Sequence, residues 1–382
     1  MDYINELKTL LQDITPATED TVKPQPSDTA VIDASSNPLT PNLLSYCFEN
    51  ILGFTVRHRI APKVDYVVEF DYKGTLGCAE SRKLGFDLTI HSMYRQELLE
   101  RLGRAKELLS EYYLQCGKTA LDQNNFTMYN ETCGYMEKLN FYSNRISDLE
   151  ARLKAQKEEE PIKIQEAMKA GENWTARSNR YSKTAHANYQ EQRYAIESYI
   201  DTYFSYLEHV LTLLYPFTPQ FDQGKSYYAQ YIRNPRWTWS KKLSDVGGDA
   251  LKPFIEPLRE IKEIYRNPGA HGMFTRELKV YAQIDGWGRY PMYLGKDYLR
   301  GFVDDNPTEL NYDRFCEIRA LFERVTGALR ETFPIPMIFV DSGFQIPVDV
   351  NLLTQGSTDP EDARRRIDYL YYQLDNQLNM DW

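Results

Sequence analysis

Ile264-Tyr265-Arg266-Asn267-Pro268-Gly269-Ala270-His271-Gly272 closes a stretch in which Leu251, Phe254, Ile255, Leu258, Ile261 and Ile264 recur at helical spacing. The run predicts a helix leading straight into Arg266, with Gly247-Gly248 as the loop before it. The pair Arg266 and His271 is also a chemical proposal. Histidine moves a proton near neutral pH. A guanidinium holds a phosphate with a fixed fork of donors and neutralises charge that develops on it. The plainer reading is a helix C-terminus, in which Asn267 caps, Pro268-Gly269 turns and the cationic side chains favour the helix dipole.

Spacing alone does not decide between the two. With 25 Arg and five His in the chain, about one accidental Arg-to-His pair at such a spacing is expected. Arg180 and His186 make one. Arg180 lacks both a following Asn and an apolar helix leading into it, whereas Arg266 has both. In an unbroken helix Arg266 and His271 would stand about 140° apart. Pro268 and Gly269 predict a break, and a kink can aim both side chains into one pocket.

Upstream, Ile196, Ile200, Tyr203, Leu207, Val210 and Leu214 predict another helix, stopped by Pro216 and Pro219. Glu208, off that stripe, reads either as a polar partner for the Arg-His pair or as a solvated helix residue. Before it, Leu98, Leu102, Ala105, Leu109 and Tyr112 form one heptad-like segment. Tyr135, Leu139, Tyr142, Ile146, Leu149 and Leu153 form a second, and the charge run from Lys154 to Glu160 before Pro161 marks its end. Two readings stay open here: an antiparallel, coiled-coil-like helical hairpin, or two ordinary bundle helices. The period-two run Val64 to Tyr72, a Lys73-Gly74 turn, a short strand at Leu76 to Ala79 and another at Leu84 to Ile90 predict a small β element. Downstream, Leu278 to Ala282 and Tyr290 to Leu294 predict a hairpin around Asp285-Gly286. Phe315 to Leu329 predicts a helix, Met337 to Val340 and Phe344 to Val348 two short strands, and Ile367 to Leu378 a closing amphipathic helix.

The 382 residues are enough for two or three domains, and no stretch approaches the ~20 apolar residues of a membrane span. The first residues lack a basic and an apolar region, so no secretion signal is expected. Five scattered cysteines without a C-x-x-C pair predict a reduced, cytoplasmic protein with no disulfide framework and no zinc site. No phosphate-binding Gly-rich loop and no cofactor motif is visible. The net charge of −10 disfavours broad nucleic-acid binding, so an RNA-directed protein must gather its positive charge locally. Residues 225–242 do so. Lys225, Arg233, Arg236, Lys241 and Lys242 alternate with Tyr227, Tyr228, Tyr231, Trp237 and Trp239, and no acidic residue intervenes. Cations that meet phosphates and rings that stack bases make this the candidate RNA surface. The other reading is a loop that packs its aromatics on a bundle.

Arg266-Asn267-x-x-x-His271 resembles the signature of HEPN domains, small α-helical bundles that include many bacterial ribonucleases of toxin and anti-phage systems. Arg266 and His271 match the family's Arg-x4-6-His pair, Asn267 matches the frequent Asn after the Arg, and Ala270 and Gly272 are typical neighbours of the His. The resemblance spans roughly 175–274, about a quarter of the chain. Met273 stands where one subgroup carries a modified Tyr, which puts that form of control in doubt. The resemblance implies metal-independent RNA cleavage, without a cofactor, in a site shared by two copies of the chain. Arg266, Asn267 and His271 would be its catalytic residues. It also implies a bacterial toxin or anti-phage setting, with an antitoxin or another defence protein as partner. A non-catalytic interaction or sensor protein of a defence complex is the alternative.

The expected fold class is mainly α with α+β additions: a HEPN-like helical bundle, a helical-hairpin arm and small β-hairpin elements. The expected divisions are a flexible leader over 1–39, a small β-containing region over 40–92, the hairpin arm over 93–172, the bundle over 173–275 and a mixed β-hairpin and helix region over 276–382.

Overall fold

The computed structural model describes residues 2–222, 228–233, 239–266, 277–286, 288–295, 299–301 and 310–380. The chain is mostly helical with small antiparallel sheets. It divides into two compact units, residues 1–123 with 365–382 and residues 124–364.

The first unit is built on a six-stranded antiparallel sheet. Its elements are α1 (Tyr3–Leu10), β1 (Ile14–Pro16), β2 (Thr29–Asp33), α2 (Pro41–Tyr46), β3 (Arg57–Ala61), β4 (Val64–Tyr72), β5 (Thr75–Arg82), β6 (Gly85–His91) and α3 (Arg95–Asp122). The strand order is β1-β4-β5-β6-β2, with β3 also on β4. Alternation sets the faces: Tyr66, Val68, Phe70 and Tyr72 on β4 and Phe86, Leu88 and Ile90 on β6 are buried. Leu98, Leu102, Ala105 and Leu109 of α3, with Leu7 and Leu11, join that same core. The β4–β5 turn is the expected one. Lys73 and Gly74 both have positive φ, and Asp71 Oδ1 accepts a hydrogen bond from the Gly74 N–H at 2.8 Å.

Residues 1–39 are not a loose leader. Ile14–Pro16 pairs with Phe70–Tyr72, and Thr29–Asp33 pairs with Asp87–His91. Edge strands form one row of hydrogen bonds only, so they accept Pro and polar residues that read as loop in sequence.

The second unit contains β7 (Thr127–Met128), α4 (Thr132–Lys169), α5 (Trp174–Leu214), α6 (Tyr228–Arg233), α7 (Trp239–Leu251), α8 (Ile255–Ile261), β8 (Glu277–Ile284), β9 (Gly288–Gly295), β10 (Leu299–Gly301), α9 (Tyr312–Thr332), α10 (Pro334–Asp341), β11 (Ile346–Pro347) and α11 (Val350–Thr354). Helix α12 (Pro360–Asn379) starts here and from Arg365 belongs to the first unit. Helices α4 and α5 form the long antiparallel hairpin. The chain reverses at Gly171, φ 73°, and Asn173 caps α5 by accepting from the Ala176 N–H at 3.1 Å. Asn188 donates to Gln156 at 3.1 Å and Gln192 to Glu150 at 3.0 Å along the seam.

The expected hairpin over 93–172 therefore has the wrong partners. Helix α3 covers the first unit's sheet, and the heptad face of α4 (Leu139, Ile146, Leu149) packs in the second unit, where α4 runs against α5. A heptad pattern marks a helix that needs a partner without saying which. Helix α4 also runs through Pro161 to Lys169 instead of ending at the charge run. The carbonyl that Pro161 deprives of a donor is that of Lys157, an exposed residue, so water can take the donor's place. Met337 to Val340 is helix α10, not a strand, with Pro334 in its first turn; a short apolar run fits either. Ile346–Pro347 is a strand, paired with Thr127–Met128. The 278–294 hairpin forms as expected, Ile284 facing Gly288 across Asp285-Gly286, with β10 added to β9.

Gly77 lies opposite Phe70, and a Cβ built on it would come within 2.4 Å of the Phe70 ring. Gly77→Ala is expected to destabilise the first unit by about 1–3 kcal/mol, read as a lower denaturation midpoint. Gly85→Ala, which meets no atom within 4 Å, should leave that midpoint in place.

Candidate functional site

Helix α5 carries its apolar stripe on one side and a mixed face on another. Asp201, Phe204, Glu208 and Thr212 recur at steps of three and four, so they share a face roughly 145° round the helix from Ile196, Tyr203 and Val210. Against that face stand side chains from α7 and from the π-turn Lys262–Arg266 that extends α8. Leu258 and Ile261 are buried and anchor α8.

Arg266 is the last described residue of that turn. Its Nε lies 3.4 Å from Asp201 Oδ1, and its guanidinium sits 5.4 Å from the centre of the Phe204 ring. Its side chain is 25 % exposed. Both contacts are weak by kind: a partly exposed ion pair contributes about 0–1 kcal/mol, and an exposed cation–π contact about 0.5–1 kcal/mol. Arg266 is thus oriented without being locked. Asn267 and His271 lie outside the described residues.

Lys262 stands one turn before Arg266, its Nζ 5.7 Å from the centre of the Trp239 ring. Trp239 in turn meets Phe204 edge to face at 5.6 Å. Burial first, and then the neighbouring Arg266 charge, hold the Lys262 ammonium below its ordinary pKa, with Glu208 pulling the other way. Among the described residues no carboxylate lies within ion-pairing distance of Lys262. Neither Lys262, Asp201 nor Phe204 was visible as a neighbour of Arg266 in the sequence. The four-residue step from Lys262 to Arg266 was the one signal available.

The expected RNA surface over 225–242 fares differently. Trp239 is buried, and Lys242 is only 5 % exposed. The Lys242 ammonium donates to Glu208 Oε1 at 3.1 Å and to Thr212 Oγ1 at 3.4 Å, and lies 5.7 Å from the centre of the Tyr231 ring. Tyr228 and Tyr231 are core residues, Tyr231 stacking flat on Tyr215 at 3.9 Å. These aromatics bury their rings in the bundle instead of offering them to bases. Lys241 is exposed and pairs with Asp245 at 3.1 Å. Lys225, Arg236, Trp237 and the side chain of Arg233 lie outside the described residues. Glu208 keeps a half-exposed side chain and neutralises Lys242, while Arg266 pairs with Asp201 instead.

The other histidines are structural or alone. His58 pairs with Glu49 at 2.7 Å, and His91 Nδ1 accepts from the Met93 N–H at 3.3 Å. Arg180 and His186 are both exposed on α5, about 120° apart round its axis. A surface depression lined by Glu256, Arg259, Glu260 and Glu263 is acidic and does not include Arg266. Among the described residues no group of three or more His, Cys, Asp or Glu stands close enough to share a metal ion. Nor is any described helix long and apolar enough to cross a membrane. No family model, no curated protein and no solved structure matches this chain.

His209, on α5, uses Nε2 to accept a hydrogen bond from the Glu131 N–H at 3.0 Å, which ties α5 to the start of α4. Burial lowers its pKa from 6.5, opposed by the Glu131 carboxylate. The folded state therefore disfavours the proton. The contribution is complete above the unfolded value and is lost as pH falls through 6.5 toward the folded one. Wild-type thermal stability should drop between about pH 7 and about pH 5, and His209→Gln should make that drop smaller.

Proposed function

We propose that the chain is a metal-independent endoribonuclease of the HEPN type, with Arg266, Asn267 and His271 as its catalytic residues. The observation that carries the reading is the presentation of Arg266. It lies on the turn that extends α8 against α5, is partly exposed, and is held by contacts weak enough to yield to a phosphate. The chain then continues into Asn267-Pro268-Gly269-Ala270-His271. The antiparallel α4–α5 hairpin with α7, α8 and α9 around it supports the finer reading of the second unit as a HEPN-like bundle.

In this reading His271 takes the proton from the 2′-hydroxyl, or gives one to the leaving 5′-oxygen. The 2′-oxygen bonds to phosphorus as the bond to the 5′-oxygen breaks. Arg266 neutralises the charge that builds on the phosphoryl oxygens. Asn267 orients the imidazole or contacts the phosphate. One histidine cannot be base and acid at the same moment, so two copies of the chain would face their Arg-His pairs across a homodimer interface. The setting we propose is a bacterial toxin or anti-phage system in the cytoplasm, with an antitoxin or another defence protein as partner.

A second reading, a non-catalytic interaction or sensor protein, draws on the same contacts. In it the Arg266–Asp201 pair and the Phe204 stack are a tie between α8 and α5 and nothing more.

Purified full-length protein, in the presence of a chelator, is expected to cut single-stranded RNA. Arg266→Ala should slow cleavage by about 10²–10³ and His271→Ala by about 10²–10⁴, with thermal stability little changed. Cleavage that survives both substitutions, or no cleavage by wild type, removes the catalytic reading.

A further inference from the structure

Three cations and two carboxylates line the α5-facing side of this site: Lys242, Lys262 and Arg266 against Asp201 and Glu208. The pairing is uneven. Lys242 is buried and takes Glu208, whose side chain is half-exposed. Asp201 reaches Arg266 at the long distance of 3.4 Å. Lys262 has a ring beneath it and, among the described residues, no carboxylate in reach. Lys262 and Arg266 are like charges one turn apart on a single element, an arrangement that repels. Each nevertheless sits over one of two adjacent rings, Trp239 and Phe204, which are in edge-to-face contact. Those rings come from α7 and α5, so two packed helices orient both cation heads.

We propose that Lys262 and Arg266 together form a phosphodiester-binding site for single-stranded RNA, in which Lys262 holds a backbone phosphate beside the one that Arg266 engages. This deepens the ribonuclease reading and rests on it for the identity of the ligand. One phosphate on each head replaces the repulsion between two bare cations with a charge-assisted hydrogen bond at each. The arrangement also answers the demand that a chain of net charge −10 gather positive charge locally. The 225–242 segment does not supply it where it is described, since Lys242 is neutralised and buried. Depression of the Lys262 pKa by burial and by Arg266 fits a cation awaiting further negative charge. Lys262 is a binding and positioning residue in this scheme; the proton transfers remain with His271.

The test measures binding apart from cutting. Single-stranded RNA methylated at every 2′-oxygen lacks the attacking hydroxyl, so a fluorescent 2′-O-methyl oligonucleotide reports affinity of the full chain without turnover. Wild type should bind it with a clear salt dependence. Lys262→Gln should weaken binding roughly five- to tenfold at low salt and reduce the salt slope by about 0.7, the loss of one single-strand phosphate contact. Lys262→Arg, which keeps the charge, should restore both. His271→Ala should bind as wild type does while losing cleavage of ordinary RNA.

Lys262→Gln that binds with wild-type affinity and slope overturns the proposal, as does wild type that does not bind the probe. Lys262→Arg as weak as Lys262→Gln overturns it too, since charge is then not the cause. If His271→Ala still cuts but Lys262→Gln loses affinity, the catalytic reading falls and the phosphate site stands.

Discussion

Tyr203 lies flat on Phe322, ring centres 3.7 Å apart, and donates its hydroxyl proton to the Phe322 carbonyl at 2.9 Å. That single contact joins the middle of α5 to α9 by stacking and by a hydrogen bond at once, in a place from which water is excluded. Most of the second unit depends on it. Helix α5 is 41 residues long, and its N-terminal part has little beside it but α4. The central stripe, from Ile196 through Tyr203 to Leu214, turns a long helix into a fixed axle. Truncating a buried aromatic of this kind costs about 3–5 kcal/mol, several times any single contact made by Arg266. The rotation of α5 is thus set on its core side, and the face bearing Asp201, Phe204 and Glu208 points where that rotation sends it.

The abundance of tyrosine takes its meaning from the same place. Tyr199, Tyr203, Tyr206, Tyr215, Tyr228 and Tyr231 are all buried in the second unit. A tyrosine fills core volume as phenylalanine does and carries a hydroxyl that can pin a helix to a neighbour's backbone. Tyr203 does this to Phe322, and Tyr228 does it to Thr212. Rings interleaved with cations between 225 and 242 look like a nucleic-acid surface for this reason. Where that segment is described, the rings of Tyr228, Tyr231 and Trp239 are buried, and Lys241 and Lys242 lie beside carboxylates.

Periodicity carried most of the elements but few of their partners. The stripes on α3, α4, α5, α9 and α12, the β4–β5 turn and the β8–β9 hairpin were all legible, because each rests on local geometry and on burial of one face. Partnership was not legible, since the heptads of α3 and α4 look alike and α3 nevertheless lies on a sheet. The edge strands at Ile14 and Thr29 were invisible, being too short to show a period and too polar to look buried. Arg266 could be picked out by its Asn267 and by the helix before it. Its surroundings could not, because Asp201 and Phe204 arrive from a helix some sixty residues earlier.

The separation between core and site bears on how such a site can work. Arg266 contributes little to folding: its ion pair is long, its ring contact partly exposed, and neither ties up all its donors. Lys242 is the opposite case, a buried ammonium with a carboxylate and a hydroxyl as partners. The two cations lie on one face of α5 but serve different ends. A group that must grip a phosphate and release it needs weak prior commitments, since every contact it already makes has to be given up on binding. Among the cations on this face, Lys262 and Arg266 meet that condition and Lys242 does not. In the ribonuclease we propose, the chemical end of the face would be the one from which the sequence continues into Asn267 and His271.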